Sequence, residues 1–417
     1  LTGCVATAMA QIINYWGYPA HGRGTHSYNH NTYGTLVVNY DSATYDYANM
    51  PSVLTATSTP AQVNAVAKLM RDCGVAANMQ YGSTESSSYD IDARAGMINF
   101  FRISPDASFA EKSYFSDTDW NNLLQTNLSS NQPVMYSGHG TGGHTFVCDG
   151  YNANDYYHFN FGWSGYADGW YMTNSVTPAG SNYNSNQSAI LGIIPDSTGN
   201  VILGQMAGTS TFIVNEPLEF YHLMGHNAYT GTNYSNGCDN TVLFFSSDTT
   251  RQLVFDIISH EDQNVIVYDG VGGSQLTALY AGADNDLSPV VSSSNSLNVY
   301  SQGNFYYAGF QMSISQDNGC RMVSNIVTSI DTTTVHLMWT ENGTATQWQI
   351  EYGEEGFALG DGTLMTVNNA AAGITFPQRL TKYDLYIRSV CGSYEYSPLK
   401  KITITTGAPY WQEVVTT

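Results

Sequence analysis

Cys4 and His144 are the two residues of this chain whose types and settings could do chemistry together. "TGCVATAMAQIINYW" puts the cysteine at the mouth of an apolar helix, where unpaired backbone N–H groups and the macrodipole favour thiolate over thiol. The bland alternative for Cys4 is a small residue buried in a helix cap. Among ten histidines, His144 has an unusual setting: in "SGHGTGGHTFVCDGY" it opens an apolar strand just after a glycine-rich loop, where a side chain can face a cleft. His139, inside that loop, is a weaker base, because a strand holds a side chain more rigidly. "YHFNFGWSG" then offers Asn160 as a neutral amide to hold the imidazole in one tautomer, with Trp163 as a wall that keeps water off that bond. A thiol, an imidazole and a carboxamide so related would perform nucleophilic acyl transfer.

The elements that must position these groups show in the periodicity. Val5, Met9, Ile12, Ile13 and Trp16 share one helical face, and "TPAQVNAVAKLMRDCG" begins with Thr and Pro and ends with Gly, as a capped helix does. Residues 1–130 hold the helical signals. From 131 to 195 the runs "PVMYSG", "HTFVCDGY", "YYHFNFGW" and "GWYMTN" read as strands, which makes 1–196 an α+β unit. After "PDSTGN" the helical signal stops and short strands recur between turn residues, as in β-sandwiches. A second break at "SQDNGC" divides 197–316 from 317–407, where Trp348, Ile350 and Tyr352 alternate onto one face, as do Tyr383, Leu385 and Ile387. Residues 408–417 read as a linker into a missing C-terminal part.

Length and charge limit the classes of function. At 417 residues the chain suggests two or three domains by a prior of about 150 residues each. A formal charge of -21 with 13 basic residues repels phosphate backbones and anionic lipid, which argues against nucleic acid and membrane surfaces as partners. With only 11% charged residues, 31 Tyr and 39 Gly, the composition leans toward exported β-rich proteins. No run approaches the roughly 20 apolar residues of a membrane span, and no signal peptide is present. Because it begins at Leu1 inside a motif, the chain reads as a fragment or processed form. The six cysteines include no CxxC pair, which argues against zinc, and no cofactor is expected. Cys73 and Cys148 sit in apolar runs and read as buried free thiols, whereas Cys320 and Cys391 could pair in an oxidising compartment.

The runs "TGCVATAMAQIINYWGYP", "NQPVMYSGHGTGGHTFVCDGY" and "YHFNFGWSGYADGWY" resemble, in order and spacing over residues 1–195, the streptopain and interpain type of papain-like cysteine peptidase secreted by bacteria. That resemblance implies Cys4 as nucleophile, His144 as general base and acid, Asn160 as orienting residue and Trp163 as a tryptophan lining the site. It also implies an endopeptidase that prefers an apolar side chain two residues before the cut, and an N-terminal prosegment. Phe161 stands where the family motif has Trp. The family's oxyanion glutamine lies upstream of the point where this sequence begins, and Gln11 is no substitute, since seven residues along a helix are roughly 10 Å. With the Cys4 N–H alone the oxyanion hole would be half built, and losing one donor typically costs about a hundred- to a thousandfold in rate, so the stretch alone is expected to be feeble. The loop 137–143, with Ser137, Gly138, His139, Gly142 and Gly143, is the expected substrate contact.

Residues 200–315, with "GTNYSNGCDNTVLFF", "NVIVYDG" and "YYAGFQMSIS", resemble a CUB-type sandwich. At the positions where many CUB domains bind calcium the chain has Gln263 and Gln302, although Glu261 and Asp262 are adjacent, so calcium is not expected. Residues 317–407 resemble a fibronectin type III module, with Trp339 as core tryptophan and Tyr383 anchoring a strand corner. Two readings follow. One is a secreted or bacterial-surface cysteine endopeptidase acting on proteins or peptides, with sandwiches that serve as spacers or bind a glycan or protein partner. The other is a catalytically silent adhesion protein that binds peptides or glycans through the same face.

Overall fold

The structure is a computed structural model, and it describes residues 2–196, 200–204, 207–221, 240–260, 264–280, 287–302, 310–393 and 395–407. The expected first helix, α1 (Cys4–Trp16), buries Val5, Met9, Ile12 and Ile13 together with the alanines between them, and stops at Gly17 in the left-handed region at φ 57°. Next comes an antiparallel hairpin, β1 (Thr25–His30) and β2 (Gly34–Asn39), in a segment read from sequence as helical. Its buried face is His26, Tyr28 and His30, so the period of two is written in polar and amphipathic residues and escapes a search for apolar alternation.

The capped helix α2 (Pro60–Ala76) carries a capping box between Thr59 and Gln62. Gly74 does not end it but lies inside, where a Cβ would meet the Tyr81 hydroxyl at 2.0 Å. Helix α3 (Asp90–Phe101) is buried from Ala93 onward and runs through the middle of the unit. After β3 (Ser108–Glu111), helix α4 (Asp117–Ser129) packs Trp120 and Leu124 against the second core of this unit. That core belongs to an antiparallel sheet made of β3, β4 (Val134–His139), β5 (Gly143–Tyr151), β6 (Tyr157–Asn160), β7 (Gly169–Tyr171) and β8 (Ser185–Leu191), in the order β3-β8-β4-β5-β6-β7. Helix α1 packs against β5 and α2.

The chain continues as strands. They are β9 (Val201–Leu203), β10 (Gly208–Val214), β11 (Leu218–Tyr221), β12 (Asn240–Ser246), β13 (Leu253–His260), β14 (Asn264–Tyr268), β15 (Gln275–Leu279), β16 (Val290–Val291), β17 (Ser296–Gln302) and β18 (Phe310–Gln316). They form two sheets, and one of them, ordered β15-β14-β17-β12-β10-β1-β2, is completed by the N-terminal hairpin. The border expected at 196/197 is therefore crossed by a shared sheet. Buried side chains bind across it as well: Asn99 of α3 pairs with both backbone groups of Leu203, at 2.9 and 2.7 Å, and Arg23 donates to Val201 O at 2.7 Å. One contiguous apolar core runs from Val5 to Ile314.

The last unit holds β19 (Ser324–Asp331), β20 (Thr334–Thr340), β21 (Gln347–Glu354), β22 (Thr363–Val367), β23 (Ala371–Thr375), β24 (Lys382–Gly392), β25 (Glu395–Tyr396) and β26 (Lys400–Thr405). They make a three-stranded sheet, β19-β20-β23, and a second sheet, β22-β21-β24, with β25 and β26 both paired to β24. Its separate core includes Trp339, Trp348, Ile350, Tyr383, Leu385 and Ile387. Tyr383 packs its ring against Phe376, centroids 4.2 Å apart and planes tilted by 31°, but its hydroxyl has no hydrogen-bond partner, so it anchors this corner by ring packing alone. Cys320 and Cys391 are disulfide-bonded, and Cys73 and Cys148 are buried free thiols. Of the residues on which the calcium expectation turns, 261–263 lie outside the described residues, as does the tail 408–417.

Candidate active site

Gly3 takes φ +90°, and a Cβ there would meet Met79 Sδ at 2.8 Å, so the turn feeding α1 requires glycine. Cys4 follows as the first helical residue, half-buried, with the backbone N–H groups of Thr145 and Val5 bonded toward its sulfur. Thr145 is the neighbour of His144 on β5, so the thiol abuts the strand segment that carries the imidazole.

His144 Nε2 lies 2.9 Å from the carbonyl oxygen of Phe161. A carbonyl only accepts, so Nε2 bears the proton and Nδ1 of the neutral ring keeps its lone pair. Asn160 does not make this bond, contrary to the sequence expectation. Its Oδ1 accepts instead from Gln11 Nε2 and from the Gly162 N–H, each at 2.9 Å. Asn160 ends β6 with its side chain turned to α1, which leaves the next carbonyl to meet the imidazole. Gly162, at φ +73°, would carry a Cβ 2.9 Å from Thr7 Cγ2, so the turn lies flat on the first turns of α1. Gln11 was set aside from sequence as too distant for the oxyanion, and its contact with Asn160 was missed. No sequence signal marked it, because Gln11 is one of several polar residues on that helix, with Thr7 and Asn14.

Aromatic rings enclose the imidazole. Trp163 stacks on it at 4.9 Å with 26° between planes, Tyr183 lies at 5.4 Å, Phe146 at 5.6 Å and Phe161 at 6.2 Å. The indole covers the ring itself rather than an Asn–His bond. Burial lowers His144 from its ordinary value, against the hydrogen bond to Phe161 that raises it. Burial raises the Cys4 thiol, and the N–H groups of Thr145 and Val5 offset part of that rise. The helix start therefore does not bring the thiol below its ordinary value, because desolvation of the charged form outweighs the donors. Both directions favour a neutral thiol beside a neutral imidazole at rest.

The segment 137–143 is the turn region of the β4–β5 hairpin, with Gly138 opposite His144 and His139 opposite Gly143. Ser137 is buried, its hydroxyl bonded to Asp90, and Gly138 is packed against Tyr183 O, so neither is open to substrate. His139, Gly142 and Gly143 are exposed at the hairpin tip. No group of three or more His, Cys, Asp or Glu that could hold a metal occurs among the described residues.

Residues 1–171 match the Peptidase C10 family. The chain is 31% identical over 207 residues to the thiol protease/hemagglutinin PrtT of Porphyromonas gingivalis, covering 47% of this chain and 24% of that protein. It is 32% identical over 209 residues to streptopain of Streptococcus pyogenes, covering 46% of this chain and 52% of streptopain. The chain thus spans about half the length of streptopain and about a quarter of PrtT. The structure of active wild-type interpain A cysteine protease from Prevotella intermedia is 35% identical, with a TM-score of 0.43 over 46% of this chain and 83% of that one. The N-terminal part of the chain, residues 1–171, belongs to the Peptidase C10 family.

Proposed function

We propose that the protein is a cysteine endopeptidase that cleaves protein or peptide substrates through an acyl-enzyme formed on Cys4. The observation that carries this reading is the His144 Nε2–H bond to the Phe161 carbonyl, which leaves Nδ1 as the basic atom on the strand that also presents the Thr145 N–H to the Cys4 sulfur. In the mechanism, His144 Nδ1 takes the thiol proton as Cys4 Sγ attacks the scissile carbonyl. The tetrahedral oxyanion is met by the Cys4 N–H, which as a first-turn donor has no intrahelical acceptor. His144 returns the proton to the leaving amine, and water, deprotonated by His144, then cleaves the thioester and restores the thiol. Asn160 and Gln11 act through the turn that fixes the Phe161 carbonyl, and Trp163 shields the ring. His139, Gly142 and Gly143 at the hairpin tip are the substrate-side contacts. No cofactor takes part.

Secretion or display at a bacterial surface is supported by the disulfide Cys320–Cys391, since such bonds persist in oxidising compartments. No helix among the described residues is long and apolar enough to cross a membrane. The two β-rich units are assigned as CUB-like and fibronectin type III-like sandwiches. The first is built into the peptidase lobe, and the second is the spacer or partner-binding module. The test is Cys4→Ala in the protein as naturally produced: casein hydrolysis is expected to vanish; unchanged hydrolysis would overturn the Cys4 mechanism, and a native protein without hydrolysis would favour the silent adhesion reading.

A further inference from the structure

Three hydroxyls from three adjacent strands converge on one carboxylate beside the candidate nucleophile. Asp90, the first residue of α3, accepts at Oδ1 from Ser137 of β4 at 2.9 Å and from Thr145 of β5 at 3.3 Å, and at Oδ2 from Ser188 of β8 at 2.9 Å. The Ser137 and Thr145 hydroxyls lie 2.8 Å apart, and with one proton each, Ser137 donates to Asp90 while Thr145 divides its proton between Ser137 Oγ and Asp90 Oδ1. The sheet order β8-β4-β5 means that a single acid ties the three strands together at the residue following His144. Thr145 is held at both ends of its function, since its hydroxyl is on Asp90 and its N–H faces Cys4. Carboxylates accept and never donate when ionised, so three hydroxyl donors favour the charged form at this spot.

Resting on the Cys4–His144 reading above, we propose that Asp90 is a positioning residue of the reaction: it fixes the Thr145 segment against Cys4 and sets a negative charge near the sulfur that holds the proton there until His144 removes it. The Asp90 charge raises the Cys4 thiol, and burial raises Asp90 itself against its three hydroxyl partners. Of the other titratable groups, His139 from β4 lowers Asp90; His144 precedes Thr145 on β5, and Asp92 is the second acid in the first turn of α3. A merely structural acid would tie the strands without affecting when Cys4 ionises. An acid placed here does both, and so couples strand geometry to the timing of nucleophile formation.

The test follows alkylation of Cys4 by iodoacetamide as a function of pH, mapped to the Cys4 peptide by mass spectrometry, in the native protein and in Asp90→Asn. Asparagine keeps the size and can still pair with the hydroxyls but carries no charge. The alkylation midpoint is expected to move to lower pH in the variant; an unmoved or raised midpoint overturns the proposal. Should Asp90→Asn fail to fold, the native protein supplies the second measurement. Above pH 8, where His144 is neutral, the iodoacetate to iodoacetamide rate ratio at Cys4 is expected below that of glutathione and to rise with salt, as local negative charge requires. A ratio equal to or above that of glutathione overturns the proposal. Both readouts report on the thiol rather than on peptide hydrolysis, so loss of the peptidase reading would leave them distinct.

Discussion

At the scale of residues, the site is a case of burial competing with local donors. Cys4 has the helix start that should favour a thiolate, yet its thiol is raised, and His144 has a carbonyl partner that should favour imidazolium, yet its ring is lowered. The working form, with one proton to share between the pair, spans the range from His144 titration to Cys4 titration. Since His144 lies below its ordinary 6.5 and Cys4 above its ordinary 9.0, kcat/KM is expected to hold a plateau whose acid limb falls below 6.5 and whose alkaline limb lies above 9.0. A pH profile on a peptide amide checks this, and an acid limb at or above 6.5 would contradict the assigned directions.

At the scale of elements, the hairpin β1–β2 decides how the molecule is built. Gly24 leads into it at φ +73°, with the position of a Cβ only 2.6 Å from Phe212 Cδ1 and 2.7 Å from Thr211 O of β10. Gly24→Ala is therefore expected to cost roughly 1–3 kcal/mol, read as a fall in the denaturation midpoint of the 2–316 part, because backbone strain and a clash with fixed backbone act together. A midpoint within experimental error of the native one would show that the strand entrance is adaptable. This hairpin was the least legible element in the sequence, since its buried side chains are His and Tyr. Helix α1 and its cysteine were readable from apolar spacing, and the strand carrying His144 from its apolar run. The glycine-rich segment before His144 was read as a loop throughout, whereas β4 runs to His139 and β5 starts at Gly143, because glycine signals a loop as readily as a tight hairpin. The Asn160–Gln11 and Phe161–His144 pairings could not be read at all, because which of two neighbouring groups reaches a ring is set by the strand end, not by residue type.

At the scale of the whole molecule, the N-terminal lobe and the first β-rich unit share one sheet and one core, while the last unit has its own core. Composition breaks near 196 showed where the chain changes from mixed to all-β, but not that strands before and after the break pair with each other. The seam is held by His26, buried between Asn78 Oδ1 at 2.7 Å and Ser210 Oγ at 3.0 Å, with burial lowering it to about 4. Its depressed value means that the unfolded chain binds a proton more readily than the folded one between 6.5 and about 4. The stability tied to neutral His26 is fully present above pH 6.5 and lost as pH falls through 4, on the order of 3 kcal/mol. His26→Gln is expected to be less stable at neutral pH and to lose less on acidification; parallel pH–stability curves for the two proteins would remove His26 from the account.

The central claim is that Cys4 is made nucleophilic by His144, and site-mapped labelling by a peptidyl epoxide tests it most directly. The account predicts that, in the protein as naturally produced, Cys4 is labelled far faster than the buried Cys73 and Cys148, and that His144→Ala abolishes both this labelling and casein hydrolysis. Labelling of Cys4 no faster than of Cys73 or Cys148, with hydrolysis intact in Cys4→Ala, would contradict it.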